Sequence, residues 1–151
     1  KLTQENIDNA FSKKPRSTNA YDKIDNHVVV LLEANKTDTF EVIEYNGYRV
    51  SSVNRAFVEM ITNVQYLQSS ETIIEVFTKI KEKLNLDTIY TIIEKFDFIY
   101  PYFQLAGFYL EQIGFLKAEL VKFYDKKSKL NFYTQKNKNH YEFDEYWKVY
   151  Y

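Results

Sequence analysis

Glu142 and Asp144, near the carboxyl end, are the residues whose type and spacing best suit chemistry. Residues two positions apart share a face of a β-strand, so these two carboxylates could together hold a divalent cation. The solvated face of an outer strand has the same pattern, and both interpretations stay open. Glu41 and Glu44, by contrast, fall on opposite faces of a predicted strand and make a poor acid–base pair.

Other catalytic residue types are scarce in this sequence. Among 151 residues there are 3 glycines, too few for a glycine-rich phosphate-binding loop. There is no cysteine, which excludes a thiolate nucleophile, a disulfide and a cysteine-ligated zinc. The 2 histidines, His27 and His140, are isolated and lack metal-ligand spacing. We therefore predict no catalytic residue, no metal ligand and no cofactor, with a small metal-dependent nucleic-acid-processing enzyme that uses Glu142 and Asp144 as the alternative.

A lysine-rich segment over residues 117–138 is the charged feature that suggests binding. The whole chain is nearly neutral, with 20 Lys+Arg against 21 Asp+Glu, so a local basic strip stands out. This strip, interleaved with Phe132 and Tyr133, could contact a phosphate backbone or an acidic partner. It lacks arginine, so we expect weak, nonspecific contact with nucleic acid, or else a solvated helix face. The candidate contact residues are Lys117, Lys122, Lys126, Lys127 and Lys129.

The elements that must position these residues are organised around a helix predicted over Tyr102–Gly114. Pro101 suits its first position, and Gly114 suits the left-handed residue that follows its end. Gly107 costs about 1 kcal/mol relative to alanine in the middle of a helix. We therefore expect another segment, most simply a crossing helix, to approach the backbone closely at Gly107.

The order of predicted elements, strands followed by helices and a final strand, is typical of an α+β fold. We expect strands within about residues 28–50 and 141–151 to form one small antiparallel sheet, packed with four to five helices within about residues 53–127. The apolar run His27–Glu33 predicts a strand covered on both faces or in the centre of a sheet, and Asn46-Gly47 predicts a hairpin. Arg55 and Glu59 have the spacing of an ion pair on or near the exposed side of the first helix of that block.

Residues 1–26 are largely polar and predict a linker or tether, followed by a single domain over residues 27–151. A short helix is plausible near Glu5–Phe11, before Pro15 interrupts the pattern. Because the chain starts with Lys1 rather than methionine, we expect a further segment upstream. No apolar run approaches the ~18 residues of a membrane helix and no signal peptide is visible, so we expect a cytoplasmic protein.

Three blocks of the sequence, in order, resemble the AbiE-type (type IV) antitoxins. Val50–Ala56, VSSVNRA, resembles the V-x-S-x-E-R-A/T segment of that family, and Ala106–Gly114, AGFYLEQIG, resembles its L-G-Y-L-L-E-x-L-G helix. The closing Tyr146–Val149, YWKV, is similar to the family's terminal tryptophan-bearing strand. The resemblance covers roughly residues 28–151. The residues that it marks as a structural motif are Arg55, Gly107, Glu111, Gly114 and Trp147.

The resemblance implies a two-part antitoxin-like transcriptional regulator from a phage-defence or toxin–antitoxin locus. An N-terminal winged helix would bind DNA at its own operator, and the present chain would be the C-terminal domain needed to neutralise a cognate nucleotidyltransferase-like toxin. The family supplies no catalytic residue. A structural or interaction domain of a mobile element or phage is a further alternative.

Overall fold

The computed structural model describes residues 1–15, 18–32, 38–66 and 69–151, and these residues form an α+β fold as predicted. The helices are α1 (Gln4–Phe11), α2 (Val53–Thr62), α3 (Ser70–Lys79), α4 (Leu86–Phe96), α5 (Tyr102–Ile113) and α6 (Val121–Asp125). The strands are β1 (Tyr21–Ile24), β2 (His27–Val30), β3 (Val42–Tyr45), β4 (Tyr48–Ser51), β5 (Phe132–Tyr133), β6 (Phe143–Asp144) and β7 (Val149–Tyr150). Single 3₁₀ turns cover Val64–Tyr66, Lys81–Lys83 and Lys117–Leu120.

Helix α5 lies at the centre of the core, in keeping with the sequence prediction. Helices α2, α3, α4 and α6 all contact it. Eight of its twelve residues are buried, including Leu105, Ala106, Phe108 and Leu110. Burial of an apolar side chain contributes roughly 1.5–3 kcal/mol, so this single helix supplies a large share of the stabilisation.

The sheets differ from the prediction of one small antiparallel sheet. The described strands form two separate hairpins, β1–β2 and β3–β4, and a third sheet with the order β5-β7-β6. Residues 141–151 are therefore not one strand that joins residues 28–50. Asp144 Oδ1 accepts a hydrogen bond from the Trp147 N–H at 2.7 Å, and Lys148 adopts a left-handed φ of 55°. This turn folds the segment into a hairpin, whose strand β7 pairs antiparallel with β6 and parallel with β5.

The hairpin predicted at Asn46-Gly47 is confirmed, because both residues have positive φ and join β3 to β4. Strand β2 was expected to be covered on both faces or to lie in the centre of a sheet, and among the described residues both expectations are wrong. Val28, Val29 and Val30 are 58%, 49% and 38% exposed. Among the described residues β2 pairs with β1 alone, and every residue of both strands is exposed.

Helix α1 corrects the prediction that residues 1–26 are a linker. Ile7 is completely buried and Phe11 nearly so, within the same core as α5. Gln4 fixes the helix to the loop before β5, since its side chain donates to the Asn131 carbonyl at 3.2 Å and accepts from the Asn131 N–H at 2.8 Å. Residues 4–11 thus belong to the folded domain. Within the described ranges, no helix is both long and apolar enough to cross a membrane.

Candidate functional site

Trp147 meets helix α5 at Gly107 and Glu111. The indole is completely buried, and a Cβ atom at residue 107 would lie only 2.2 Å from its Cζ3 atom and 2.3 Å from Cη2. Glu111, one turn further along the same helix face, accepts a hydrogen bond from the Trp147 Nε1–H at 2.6 Å. The predicted close approach at Gly107 is confirmed, but the neighbour is an indole from the C-terminal hairpin rather than a crossing helix.

Gln104 extends this contact along α5 and was missed by the sequence analysis. Its side chain is completely buried. Its Nε2 group donates to the carbonyls of Leu130 at 3.0 Å and Lys148 at 2.8 Å, and its Oε1 atom accepts from the Ser128 N–H at 3.1 Å. Through these three hydrogen bonds, the buried Gln104 side chain holds both the loop before β5 and the turn before β7 against α5. The available signal was a polar residue three positions before Gly107, within the mainly apolar first nine residues of the helix.

Gly114 ends α5 as predicted. It has a φ of 108°, and its N–H donates to the Glu111 carbonyl at 2.9 Å. The Phe115 N–H donates to the Leu110 carbonyl at 3.0 Å, which completes a Schellman motif. The Lys81 ammonium also donates to the Gly114 carbonyl, at 2.5 Å. Gly114 therefore fixes the direction in which the chain leaves α5 toward the basic segment.

Arg55 is buried, which corrects its predicted place at an exposed helix face. Arg55 is only 8% exposed, and its Nε atom lies 2.7 Å from Glu59 Oε1. Its Nη1 atom donates to the carbonyls of Asp38 at 2.7 Å and Phe40 at 2.8 Å. Ser51, at the end of β4, donates to the other Glu59 oxygen at 2.7 Å. Arg55 and Glu59 therefore attach the β3–β4 hairpin to α2.

Two of the predicted lysines lie against the ring of Tyr146. The Lys117 ammonium is 4.1 Å from the ring centroid and 3.4 Å from Glu111 Oε1. The Lys127 ammonium donates to the Tyr146 carbonyl at 2.5 Å and lies 4.1 Å from the Tyr124 ring centroid. The Tyr124 and Tyr146 rings are themselves 4.5 Å apart. We call Lys117, Tyr124, Lys127 and Tyr146 the Tyr146 cluster.

The other three predicted lysines lie outside this cluster. Lys122 forms an ion pair with Asp87 at the start of α4 and lies 5.5 Å from the Tyr90 ring centroid. Lys126 and Lys129 are exposed, and neither forms an ion pair with another described residue. The structure therefore does not bring the five lysines into one phosphate-binding groove, and three of them already have partners within the chain.

Glu142 and Asp144 each make a hydrogen bond within the C-terminal hairpin. Glu142 Oε2 accepts from the Tyr151 hydroxyl at 2.9 Å, which raises the pKa of Tyr151 because the bond favours the protonated phenol. Asp144 supports the turn before β7, as described above. In the part of the chain that the structure describes, no three potential metal-ligating side chains come together. Both carboxylates thus have structural roles in this hairpin.

An aromatic cleft of about 120 Å³ lies between α1, α5 and β5. Phe11 forms one wall, with ring centroids 4.9 Å from Phe132 and 5.4 Å from Tyr133. Tyr102 also lines the cleft, and burial, with a smaller contribution from Tyr100, raises its pKa. This cleft is close in size to cavities that hold one small ring, and its aromatic walls join α1 to the rest of the core.

No protein-family model, curated protein or solved structure matches this chain. Its candidate site is therefore defined by geometry alone: a buried contact between α5 and the C-terminal hairpin, with the Tyr146 cluster beside it.

Proposed function

We propose that this chain is the non-catalytic C-terminal domain of an antitoxin-like transcriptional regulator in the cytoplasm. It supports operator binding by an N-terminal winged helix and neutralises a cognate nucleotidyltransferase-like toxin by binding it. The observation that carries the proposal is the contact among residues from two of the blocks that resemble AbiE-type antitoxins. Gly107 and Glu111 come from the helix block, and Trp147 comes from the terminal block.

This contact needs all three residue types at once. Any side chain at position 107 overlaps the indole, so only glycine fits there. The indole N–H is a donor only, and a carboxylate is a strong acceptor for it. Two of the three blocks thus meet in one buried contact that depends on the residue types they share with the family, and this supports the resemblance.

The Tyr146 cluster is the part of this site that a partner can reach. Lys117 has half of its side chain exposed, and Tyr124, Lys127 and Tyr146 are half-buried. Tyrosine is enriched at the centres of protein interfaces, and lysines above its ring add positive charge. Leu116, which directly precedes Lys117, is a further exposed apolar side chain. We assign an acidic surface of the toxin to this face.

Co-expression with the neighbouring gene product tests the proposal. We expect the wild-type chain to bind that product and to relieve the growth arrest it causes. Leu116→Glu should weaken binding at least tenfold, because it puts negative charge on a face that we assign to an acidic surface of the toxin. Ile99→Glu is the matched control, since Ile99 is equally apolar and even more exposed.

Two outcomes would overturn the proposal. One is binding and relief of growth arrest that Leu116→Glu leaves intact. The other is turnover of DNA, RNA or nucleotides with Mg²⁺ or Mn²⁺ that is lost in Glu142→Gln, which would establish the metal-dependent enzyme instead. Glutamine still accepts the Tyr151 hydrogen bond, so this variant tests chemistry rather than folding.

A further inference from the structure

Strand β2 and the two residues after it form an exposed edge without charge. Residues 27–32 read HVVVLL. Within the run Val28, Val30 and Leu32 are 58%, 38% and 42% exposed. An exposed apolar strand edge is a template for pairing with another strand, and proteins usually protect such edges with charged residues.

The hairpin register shows which backbone groups are open on this edge. The Leu31 N–H donates to the Ala20 carbonyl at 2.8 Å, and β2 pairs antiparallel with β1 in the register Val29↔Asp22 and His27↔Ile24. Hydrogen-bonded pairs alternate with non-hydrogen-bonded pairs in an antiparallel ladder. Val28, Val30 and Leu32 therefore direct their N–H and C=O groups away from β1, toward the open side.

The other hairpin strands have the usual protection. Strand β1 contains Asp22 and Lys23, β3 contains Glu44 and β4 contains Arg49. A twofold axis at Asp22 or Lys23 of β1 would place that charge opposite its own copy, and like charges directly opposite are destabilising. Strand β2 alone among these four has no aspartate, glutamate, lysine or arginine.

We infer that β2 pairs with β2 of a second copy of this chain, antiparallel and about a twofold axis at Val30. Val30 then lies opposite its own copy, and Val28 lies opposite Leu32 of the partner subunit. The two hairpins become one four-stranded sheet, which is far more stable than an isolated two-stranded hairpin. A second copy fits this edge because twofold pairing puts apolar residues opposite each other, and the contact between residues 28 and 32 then occurs twice.

The pairing should be weak and dependent on concentration. A six-residue strand pair buries much less than the roughly 1,600 Å² of a standard stable interface. We expect sedimentation velocity to show a shift from monomer toward dimer between low micromolar and about 1 mM protein. In the same range, hydrogen exchange at the Val28 and Val30 amides should slow, while the Val29 amide, which already bonds to β1, should change little.

A pair of double variants tests the register. Val28→Glu with Leu32→Lys places opposite charges across the twofold axis, whereas Val28→Glu with Leu32→Glu places like charges there. In both variants the glutamate at residue 28 lies opposite Lys23 of the same hairpin, so this substitution changes the stability of the hairpin equally in the two. We expect the like-charged variant to dimerise at least about tenfold more weakly than the oppositely charged one. A wild-type chain that stays monomeric, or two variants that dimerise equally, would overturn the inference.

Discussion

Replacement of Gly107 by alanine is the most direct perturbation of the contact at the centre of this domain. The added Cβ atom would lie 2.2 Å from Trp147 Cζ3, whereas carbon atoms pack at about 3.5–4.0 Å. The indole therefore has to retreat by roughly 1.3 Å or more. It is completely buried and bonded to Glu111, so a retreat opens space in the core and stretches the 2.6 Å hydrogen bond.

The expected loss of stability is the cost of the overlap with the indole, less the gain in helix propensity. Overpacking a core costs about 1–3 kcal/mol, and complete displacement of a buried tryptophan costs about 3–5 kcal/mol. Alanine returns about 1 kcal/mol through its better helix propensity. Because the overlap is severe, we expect the larger cost, and a net decrease of about 2–4 kcal/mol in the free energy of unfolding.

Urea unfolding followed by fluorescence measures this effect at the site itself, because Trp147 is the only tryptophan in the chain. We expect the native emission of Gly107→Ala to shift to longer wavelength as the indole becomes more exposed. Gln112→Ala, at an exposed position of the same helix, should change stability by less than about 0.5 kcal/mol.

A second background separates the clash from other effects of the substitution. With Trp147→Val the ring is absent, so Gly107→Ala should stabilise the protein by up to about 1 kcal/mol, as measured by circular dichroism. The reasoning is refuted if Gly107→Ala leaves stability and emission unchanged in the wild type, or if it destabilises both backgrounds equally.

Three further predictions concern other parts of the domain. Arg55→Lys keeps the charge but loses the fork geometry, so we expect unfolding to become easier by about 1.5–3 kcal/mol and the β3–β4 amides to exchange faster with solvent; an unchanged denaturation midpoint would contradict this. Tyr109 has a buried hydroxyl without a hydrogen-bond partner among the described residues, so Tyr109→Phe should add about 1 kcal/mol at neutral pH. Burial raises the pKa of Tyr109 in the folded state, so folding is disfavoured once the pH passes about 10, where the unfolded phenol begins to ionise and the folded one does not. The free energy of unfolding should therefore fall less steeply above about pH 10 in Tyr109→Phe than in the wild type. An equal slope would argue against burial as the cause. The log of the binding constant for duplex DNA falls as log salt rises, and charge reversal at Lys126 and Lys129 should make this fall less steep by about 0.9 per lysine. An unchanged slope would mean that these lysines are only solvated.

Features that depend on the backbone of one or two residues could be predicted from the sequence. Asn46-Gly47 requires left-handed dihedral angles, and it forms the predicted hairpin turn. Gly114 ends α5 for the same reason. Gly107 indicated a close approach because glycine in a helix interior is unfavourable unless something needs the space. The α+β class also followed from the order of the elements.

The identity of each long-range neighbour could not be predicted. The sequence shows that something approaches Gly107, but only the tertiary structure shows that it is the indole of Trp147, forty residues further along the chain. Arg55 has the same spacing to Glu59 whether the pair is exposed or buried, so its contacts with the Asp38 and Phe40 carbonyls were invisible.

Strand pairing was decided in the same way. An apolar run such as His27–Val30 has one pattern whether other elements cover it or leave it open, and here β2 pairs with β1 and remains exposed. The sequence by itself determined where the chain turns and where helices end, because those depend on local dihedral angles. The tertiary structure alone decided which surfaces meet, because burial, ion pairing and sheet partners depend on residues that are distant along the chain.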